Sequence, residues 1–318
     1  MRCFDVFNGD ADGICALHQL RLAEPLQAEL VTGIKRDIEL LRRVDAGTGD
    51  RVTVLDVSLE RNRAALLVLL ERGALVRYFD HHAAGEVPSH PGLEAHIDES
   101  AGVCTSILVD RHLQGRFRPW AVVAAFGDGM PDTATRLASG LSLDAGRLAA
   151  LRELGENLNY NAYGESEADL LVPPADLYRS VSRFADPFSL LESEPLLTRL
   201  GAQRREDLRQ ARALAPHRAS AHAEAFILPD ASWARRASGV FANELAVAGP
   251  ARAHAVLTPN FRGGYTVSIR APQGGVFSAA ELCRSFGGGG RREAGGIDHL
   301  ERARVEELLD SLEAQVLR

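Results

Sequence analysis

The first candidate for chemistry is an acid followed by two imidazoles. Asp80, His81 and His82 stand at the end of an apolar run over residues 74–79. Such a run predicts a buried β-strand. A strand ending in an acid and two histidines would carry metal-binding side chains to one edge of a sheet. Alone, the same three residues fit a polar strand end with solvated histidines equally well.

Three further acidic sites follow apolar runs in the same manner. Asp10 and Asp12 lie two apart in a loop bounded by glycines, which let the backbone turn tightly. Asp56 lies in the apolar segment 52–57, where a carboxylate is costly unless it is paired or bound to a metal. Asp128 lies between two glycines. Each site also has a structural explanation on its own, such as a turn or a helix N-cap.

Together these residues form a ligand set made mostly of oxygen. Such a set suits manganese or magnesium better than zinc. The acids are too many for one divalent ion. Two ions about 3.5–4 Å apart, bridged by one carboxylate, could neutralise them and activate a water for in-line attack on phosphorus. The residues therefore predict a two-metal phosphoesterase.

The elements that must position these residues alternate between strand and helix. Strands are predicted at residues 3–7, 30–34, 52–57, 74–79 and 94–97. Helices between them are predicted at residues 14–22, 37–44 and 61–71. This alternation predicts an α/β fold with a parallel, doubly wound sheet whose strand ends carry the site. Further helices are predicted at residues 101–114, 120–126, 143–154 and 175–184, and a polar loop at 157–161.

The chain is long enough for two domains. We predict a catalytic domain over residues 1–190, a helical linker over 191–224, and a smaller α/β domain with a mixed sheet over 225–318. In the smaller domain we expect a strand at 225–228, a helix at 238–246, a hairpin of 253–257 with 265–270, a helix at 279–286, a glycine loop at 287–290 and a helix from about 301.

The composition limits the classes of ligand and partner that we expect. The net charge of −7 lacks the strong basic excess that long duplex nucleic acid requires, so we expect a short phosphate ligand. No apolar stretch of 18 residues and no signal-peptide pattern occurs, so we expect a cytoplasmic protein without a membrane partner. The four cysteines are scattered, which argues against a disulfide framework or a cysteine zinc site. Lys35 is the only lysine, and we attribute the preference for arginine to base composition.

These motifs resemble the Asp-His-His (DHH) phosphoesterase superfamily, including its nanoRNase-like oligonucleotide phosphodiesterases. The four motifs correspond, in order, to Asp10 with Asp12, then Asp56, then Asp80-His81-His82, then Asp128. Residues 267–270 and 286–296 resemble the arginine-bearing strand and glycine-rich signature of the associated substrate domain. The resemblance covers nearly the whole chain.

The resemblance implies roles for individual residues. Two manganese ions, with magnesium as the other option, would be held by Asp10, Asp12, Asp56, His81 and Asp128, with Asp56 bridging. Asp12, Asp56, His81, His82 and Asp128 would be the catalytic residues, with a hydroxide bridging the two ions as nucleophile. His82 would face the phosphate, and Asp80 would orient an imidazole. The substrate would be gripped by His82, Arg270, Gly288, Gly289, Gly290 and Arg291.

Two positions depart from the superfamily pattern. Val6 replaces a histidine four residues before the first aspartate, and Asn8 is the candidate ligand that fills part of this gap. Arg291 replaces the histidine that usually ends the glycine signature, and an arginine there can hold phosphate through two hydrogen bonds.

Several substrates stay open at this point. Members of the superfamily cleave short oligonucleotides in the manner of an exonuclease, linear or cyclic dinucleotides, 3′-phosphoadenosine 5′-phosphate, pyrophosphate or polyphosphate. An exopolyphosphatase or pyrophosphatase, and a nucleotide-binding protein without catalysis, are therefore the alternatives, in a monomer or a homodimer.

Overall fold

The computed structural model describes residues 1–317 and divides into two compact units, with the second beginning at Ala202. The division falls inside the predicted linker, within a helix that spans Pro195–Arg212. Leu196, Leu197 and Leu200 of this helix belong to the core of the first unit. Leu208 and Ala211 belong to a core of the second. The predicted boundaries at residues 190 and 224 remain predictions.

The first unit contains five strands and a series of helices. Its strands are β1 Cys3–Asn8, β2 Glu29–Gly33, β3 Arg51–Leu55, β4 Leu75–Asp80 and β5 Leu93–Ile97. Its α-helices are α1 Ala11–Ala23, α2 Leu59–Glu71, α3 Thr105–His112, α4 Arg118–Gly127, α5 Pro131–Ala138, α6 Ala145–Asn161, α7 Pro174–Val181 and α8 Pro187–Ser193. Helix α9, Pro195–Arg212, begins in the first unit and ends in the second. Short 3₁₀ turns span Leu40–Arg43 and Glu167–Asp169.

The five strands form one all-parallel sheet in the order β2-β1-β3-β4-β5. Successive side chains of each strand point to opposite faces of the sheet, and each face packs against a hydrophobic core. Phe7, Leu55 and Phe79 point into a core with α1, α3, α4 and α6. Val54 and Tyr78 point into the opposite core with α2. The predicted doubly wound α/β fold is confirmed.

The strand order reverses between β1 and β3. The chain passes from β1 to β2 on one side and then crosses to β3 on the other. Loops that leave adjacent strands at such a reversal diverge and open a crevice at the carboxyl ends. The segments after β1 and β3, which carry Asp10 and Asp56, lie at this crevice.

The second unit contains a mixed sheet. Its elements are β6 Arg218–Ala219, β7 Ala223–Ile227, α10 Ser232–Ala248, β8 Ala253–Pro259, β9 Tyr265–Arg270, α11 Ala279–Ser285, β10 Gly289–Gly290, β11 Ala294–Leu300, a 3₁₀ turn Arg302–Arg304 and α12 Val305–Val316. The strand order is β10-β11-β9-β8-β7-β6, and only β7 and β8 pair in parallel. The predicted hairpin of β8 and β9 is confirmed.

Three local predictions were wrong. Residues 37–44 form only a 3₁₀ turn, because Asn62 accepts a hydrogen bond from the Leu41 amide and donates one to the Ile38 carbonyl. The segment 157–161 is the last turn of α6 and not a loop. Gly289 and Gly290 form a strand that pairs with β11 and not an open loop. Sequence analysis also missed α5 and α8, both of which begin with a proline at the first helical position.

Candidate metal centre

The loop after β1 is held by its own polar side chains. One Asp10 carboxylate oxygen accepts the amide hydrogens of Asp12 and Gly13, so Asp10 is the N-cap of α1. Asn8 accepts the Asp10 amide hydrogen at 3.2 Å and donates to the Lys35 carbonyl at 3.2 Å. A Cβ atom on Gly13 would lie 2.1 Å from the Asn8 carbonyl oxygen, so only glycine lets α1 start this close to the strand.

Asp12 is fixed by the start of helix α3. Its two carboxylate oxygens accept the backbone hydrogens of Thr105 and Ser106, each at 2.7 Å. The Ser106 hydroxyl donates to the Asp12 carbonyl oxygen at 3.0 Å. Backbone amides at a helix N-terminus have no partner within their own helix, so these two are available to fix the orientation of the Asp12 carboxylate.

Asp56 follows β3 in the left-handed backbone region, with φ of 59°. This conformation is uncommon for a residue other than glycine, although aspartate tolerates it better than most. The side chain is 3% exposed and accepts a hydrogen bond from the Thr105 hydroxyl at 3.3 Å. Burial, with the charges of Asp12 and Asp10 adding to it, raises the pKa of Asp56 well above its ordinary value. A cation bound nearby would offset the repulsion that disfavours the ionised form of this carboxyl group.

The Asp80-His81-His82 motif lies at the end of β4, and its three side chains have different partners. Asp80 is fully buried and accepts hydrogen bonds from the Leu59 amide at the start of α2 and from His82 Nδ1 at 2.7 Å. His82 therefore carries its proton on Nδ1 and keeps Nε2 for another partner. Burial disfavours the charged imidazole, but the hydrogen bond and the charge of Asp80 outweigh it, so the pKa of His82 is raised.

Asp128 follows α4 as its C-cap residue. Helix α4 lies very close to α6 here, since a Cβ atom on Gly155 would lie 2.1 Å from the Val123 carbonyl oxygen. Burial raises the pKa of Asp128 to about 6, while the charge of Lys35 opposes this shift and the charges of Asp12 and Asp10 add to it.

Three of the predicted ligands converge on an imidazole nitrogen of a fourth. His81 Nε2 lies 3.4 Å from Asp56, 3.9 Å from Asp12 and 3.9 Å from Asp128. Two groups of three residues could each hold a metal ion: His81 with Asp12 and Asp128, and His81 with Asp56 and His82. Within each group, the candidate ligand atoms all lie within 4.8 Å of one another. Ligands about 2.0–2.2 Å from one ion lie within roughly 4.4 Å of each other. Each group of three is therefore compact enough to hold a divalent ion, and the two groups share His81.

Sequence analysis missed the residue on the other side of this cluster. Lys35 Nζ contacts Asp10 Oδ2 at 2.5 Å and Asp128 Oδ1 at 3.5 Å. It also donates to Asn159 Oδ1 at 3.0 Å. The signal in the sequence was its rarity, since one lysine among 36 basic residues is an exception to the preference that we attributed to base composition.

The predicted substrate residues of the second unit lie together on its sheet. Arg270 pairs with Ala294 across β9 and β11, and Gly290 pairs with Gly295. The Arg291 amide donates to the Ala294 carbonyl, so Arg270 and Arg291 flank one residue of β11. The Gly288 amide already donates to the Cys283 carbonyl at 2.8 Å. Phosphate binding by these residues remains a prediction.

The resemblance is confirmed at the level of the fold, because solved structures match over the whole of this chain. No family model and no curated protein matches the sequence. Among solved structures, an exonuclease RecJ bound to manganese matches with a TM-score of 0.67 and 18% identity, over 100% of this chain and 90% of that one.

Two other solved structures match the whole of this chain. RecJ from Thermus thermophilus in complex with Mn²⁺ has a TM-score of 0.60 and 19% identity, and this chain covers 52% of it. PggH from Vibrio cholerae, a pGpG-specific phosphodiesterase, has a TM-score of 0.57 and 15% identity, with 99% of it covered. Across residues 1–317, each helix is too short or too polar to pass through a bilayer.

Proposed function

We propose that this protein is a metal-dependent phosphoesterase that hydrolyses short nucleotides. The observation that carries the proposal is the convergence of Asp12, Asp56 and Asp128 on His81 Nε2 within 3.9 Å. These residues come from four separate segments of the first unit. The pKa values of Asp56 and Asp128 are raised because these acids are buried close to other carboxylates, and a bound cation would relieve this repulsion.

Manganese is the ion that we propose, with magnesium as its substitute, because three of the four ligands are oxygen and one is nitrogen. When bound, the ion supplies a Lewis acid that polarises a phosphoryl oxygen and lowers the pKa of water. Asp12, Asp56, His81 and Asp128 would hold it. Asp10 and Asn8, the other two predicted ligands, have their side chains engaged with Lys35 and the loop backbone.

The chain's own residues would also orient the substrate. His82 is half exposed, and its Nδ1 donates to Asp80, so Nε2 is available to contact a phosphate oxygen. Asp80 fixes the ring and its tautomer, as a buried carboxylate does in other histidine sites. We propose that Arg270 and Arg291 of the second unit also bind phosphate.

A dinucleotide is the substrate that we propose first. The likeness to a pGpG-specific phosphodiesterase covers nearly all of both chains, and the net charge of −7 disfavours long nucleic acid.

The test is hydrolysis of a panel of substrates with Mn²⁺ or Mg²⁺: pGpG, diadenylate, a short RNA, 3′-phosphoadenosine 5′-phosphate and polyphosphate. We expect cleavage of the dinucleotides, at least about 10³-fold slower in Asp56→Asn. The matched control is Asp45→Asn, because Asp45 is 89% exposed and its replacement should leave the rate unchanged. Phosphate release from polyphosphate alone would contradict the nucleotide assignment, and inertness of every substrate would contradict the proposed function.

A further inference from the structure

The ammonium group of Lys35 lies among the carboxylates of the metal centre. Its Nζ is 2.5 Å from Asp10 Oδ2 and 3.5 Å from Asp128 Oδ1. The Lys35 side chain is 28% exposed, and those of Asp10 and Asp128 are 3% and 21% exposed. An ion pair at this depth is screened much less than one on the surface.

The surroundings hold the ammonium from several directions. Asn159 Oδ1 accepts a hydrogen bond from Nζ at 3.0 Å, and Nζ lies 5.9 Å from the centre of the Tyr163 ring. Asp10 and Asn159 accept hydrogen bonds from the ammonium, and Asp128 Oδ1 is an ion-pair partner at 3.5 Å.

The backbone of Lys35 is fixed as well. Its amide donates to the Ala162 carbonyl at 2.9 Å, and its carbonyl accepts from Asn8 Nδ2 at 3.2 Å. The side chain thus leaves a backbone that is tied both to the loop after β1 and to the end of α6. Lys35 therefore differs from a mobile surface lysine, which loses side-chain entropy when it forms an ion pair.

This contact changes what Asp10 can bind. One Asp10 oxygen accepts the amides of Asp12 and Gly13, and the other contacts Lys35. Accordingly, Asp10 belongs to neither group of candidate ligand atoms among the described residues, although the resemblance assigns it to a metal ion. An ion bound to both Asp10 Oδ2 and Asp128 Oδ1 would need the space that the ammonium fills.

We propose that Lys35 takes the place of one of the two ions, so that this protein binds a single divalent ion through Asp12, Asp56, His81 and Asp128. This inference rests on the proposed function and concerns the number of ions in the same centre. The ammonium is a permanent cation that needs no loading. It neutralises Asp10 and part of the charge on Asp128, so that one ion suffices for the remaining acids.

The test counts manganese in the metal-stripped protein after equilibrium dialysis against saturating MnCl₂. Elemental analysis gives the ions per chain, and electron paramagnetic resonance distinguishes isolated Mn²⁺ from a coupled pair. We expect one isolated ion in the natural protein. We expect two coupled ions in Lys35→Met, which keeps the length of the side chain and frees Asp10. The control Arg42→Met removes an exposed positive charge that contacts none of the candidate ligands among the described residues, and it should keep one ion.

The outcomes separate this inference from the proposed function. Two ions in the natural protein would show that the metal displaces Lys35, and one ion in Lys35→Met would show that Lys35 does not exclude the second. Either result overturns the inference while leaving a metal-dependent phosphoesterase intact. No bound ion, together with no hydrolysis of pGpG, would overturn both. The count in the natural protein decides even if Lys35→Met does not fold.

Discussion

His18 should make the first unit sensitive to mild acid. It lies on α1, is 1% exposed, and donates from Nε2 to the Phe184 carbonyl at 2.8 Å. Its ring packs edge-on against Trp120 of α4 at 4.6 Å. The His18 side chain therefore connects α1, which carries Asp12, to α4, whose C-cap residue is Asp128.

The magnitude follows from the pKa. Burial lowers the pKa of His18 from 6.5 to about 4, against the hydrogen bond to Phe184. The unfolded chain therefore binds more protons than the folded one between these values, so the free energy of unfolding falls as pH drops from 6.5 towards 4. A shift of roughly 2.5 units corresponds to about 3 kcal/mol, or about 1.4 kcal/mol per pH unit within the window.

Urea unfolding of the metal-free protein between pH 7 and pH 4 measures this loss. The variant His18→Gln keeps a hydrogen-bond donor without a titrating ring, so its stability relative to the natural protein should rise by about 3 kcal/mol over the window. Exposed His90, replaced in the same way, is the control that should follow the natural protein. Parallel pH profiles for His18→Gln and the natural protein would refute the assigned burial of a neutral imidazole.

Three further predictions concern the centre and its scaffold. Asp56→Asn should stabilise the metal-free protein at pH 7.5 by about 1–3 kcal/mol in urea unfolding, since it removes a buried carboxylate with a raised pKa; an unchanged or lower stability would contradict the repulsion. Mn²⁺ at about 100 times its Kd should stabilise the natural protein by about 2.7 kcal/mol, reversed by EDTA and absent in Asp56→Asn; equal stabilisation of that variant would place the ion elsewhere. Gly13→Ala should cost about 1–3 kcal/mol because its Cβ meets the Asn8 carbonyl, whereas Gly239→Ala in α10, with no atom within 4 Å, should be neutral or stabilising in the same assay.

The residues of the centre that could be predicted from sequence are those that their immediate sequence neighbours mark as unusual. An acid directly after an apolar run is readable because burial makes it costly, and parallel strands bring such ends together. Asp12, Asp56, His81 and Asp128 were found in this way, and the structure places them around one nitrogen. The α/β class was readable for the same reason, since strand and helix periodicities are local.

The rest depends on contacts between distant residues. Lys35 reaches Asp10 across 25 positions and Asn159 across 124, and the Thr105 amide reaches Asp12 across 93. No local pattern marks such partners. The strand of Gly289 and Gly290 escaped prediction for a related reason, because four glycines in a row indicate a loop until β11 provides a pairing partner.

The start of helix α3 gives the protein a built-in reporter. The amide protons of Thr105 and Ser106 touch the two oxygens of Asp12, so any cation that draws electron density from that carboxylate weakens both hydrogen bonds. Their nuclear magnetic resonance shifts would therefore register occupancy of the crevice directly. Because the Asp12 oxygens both accept the first amides of α3 and lie in the candidate metal centre, binding of an ion there would change the order of the start of α3.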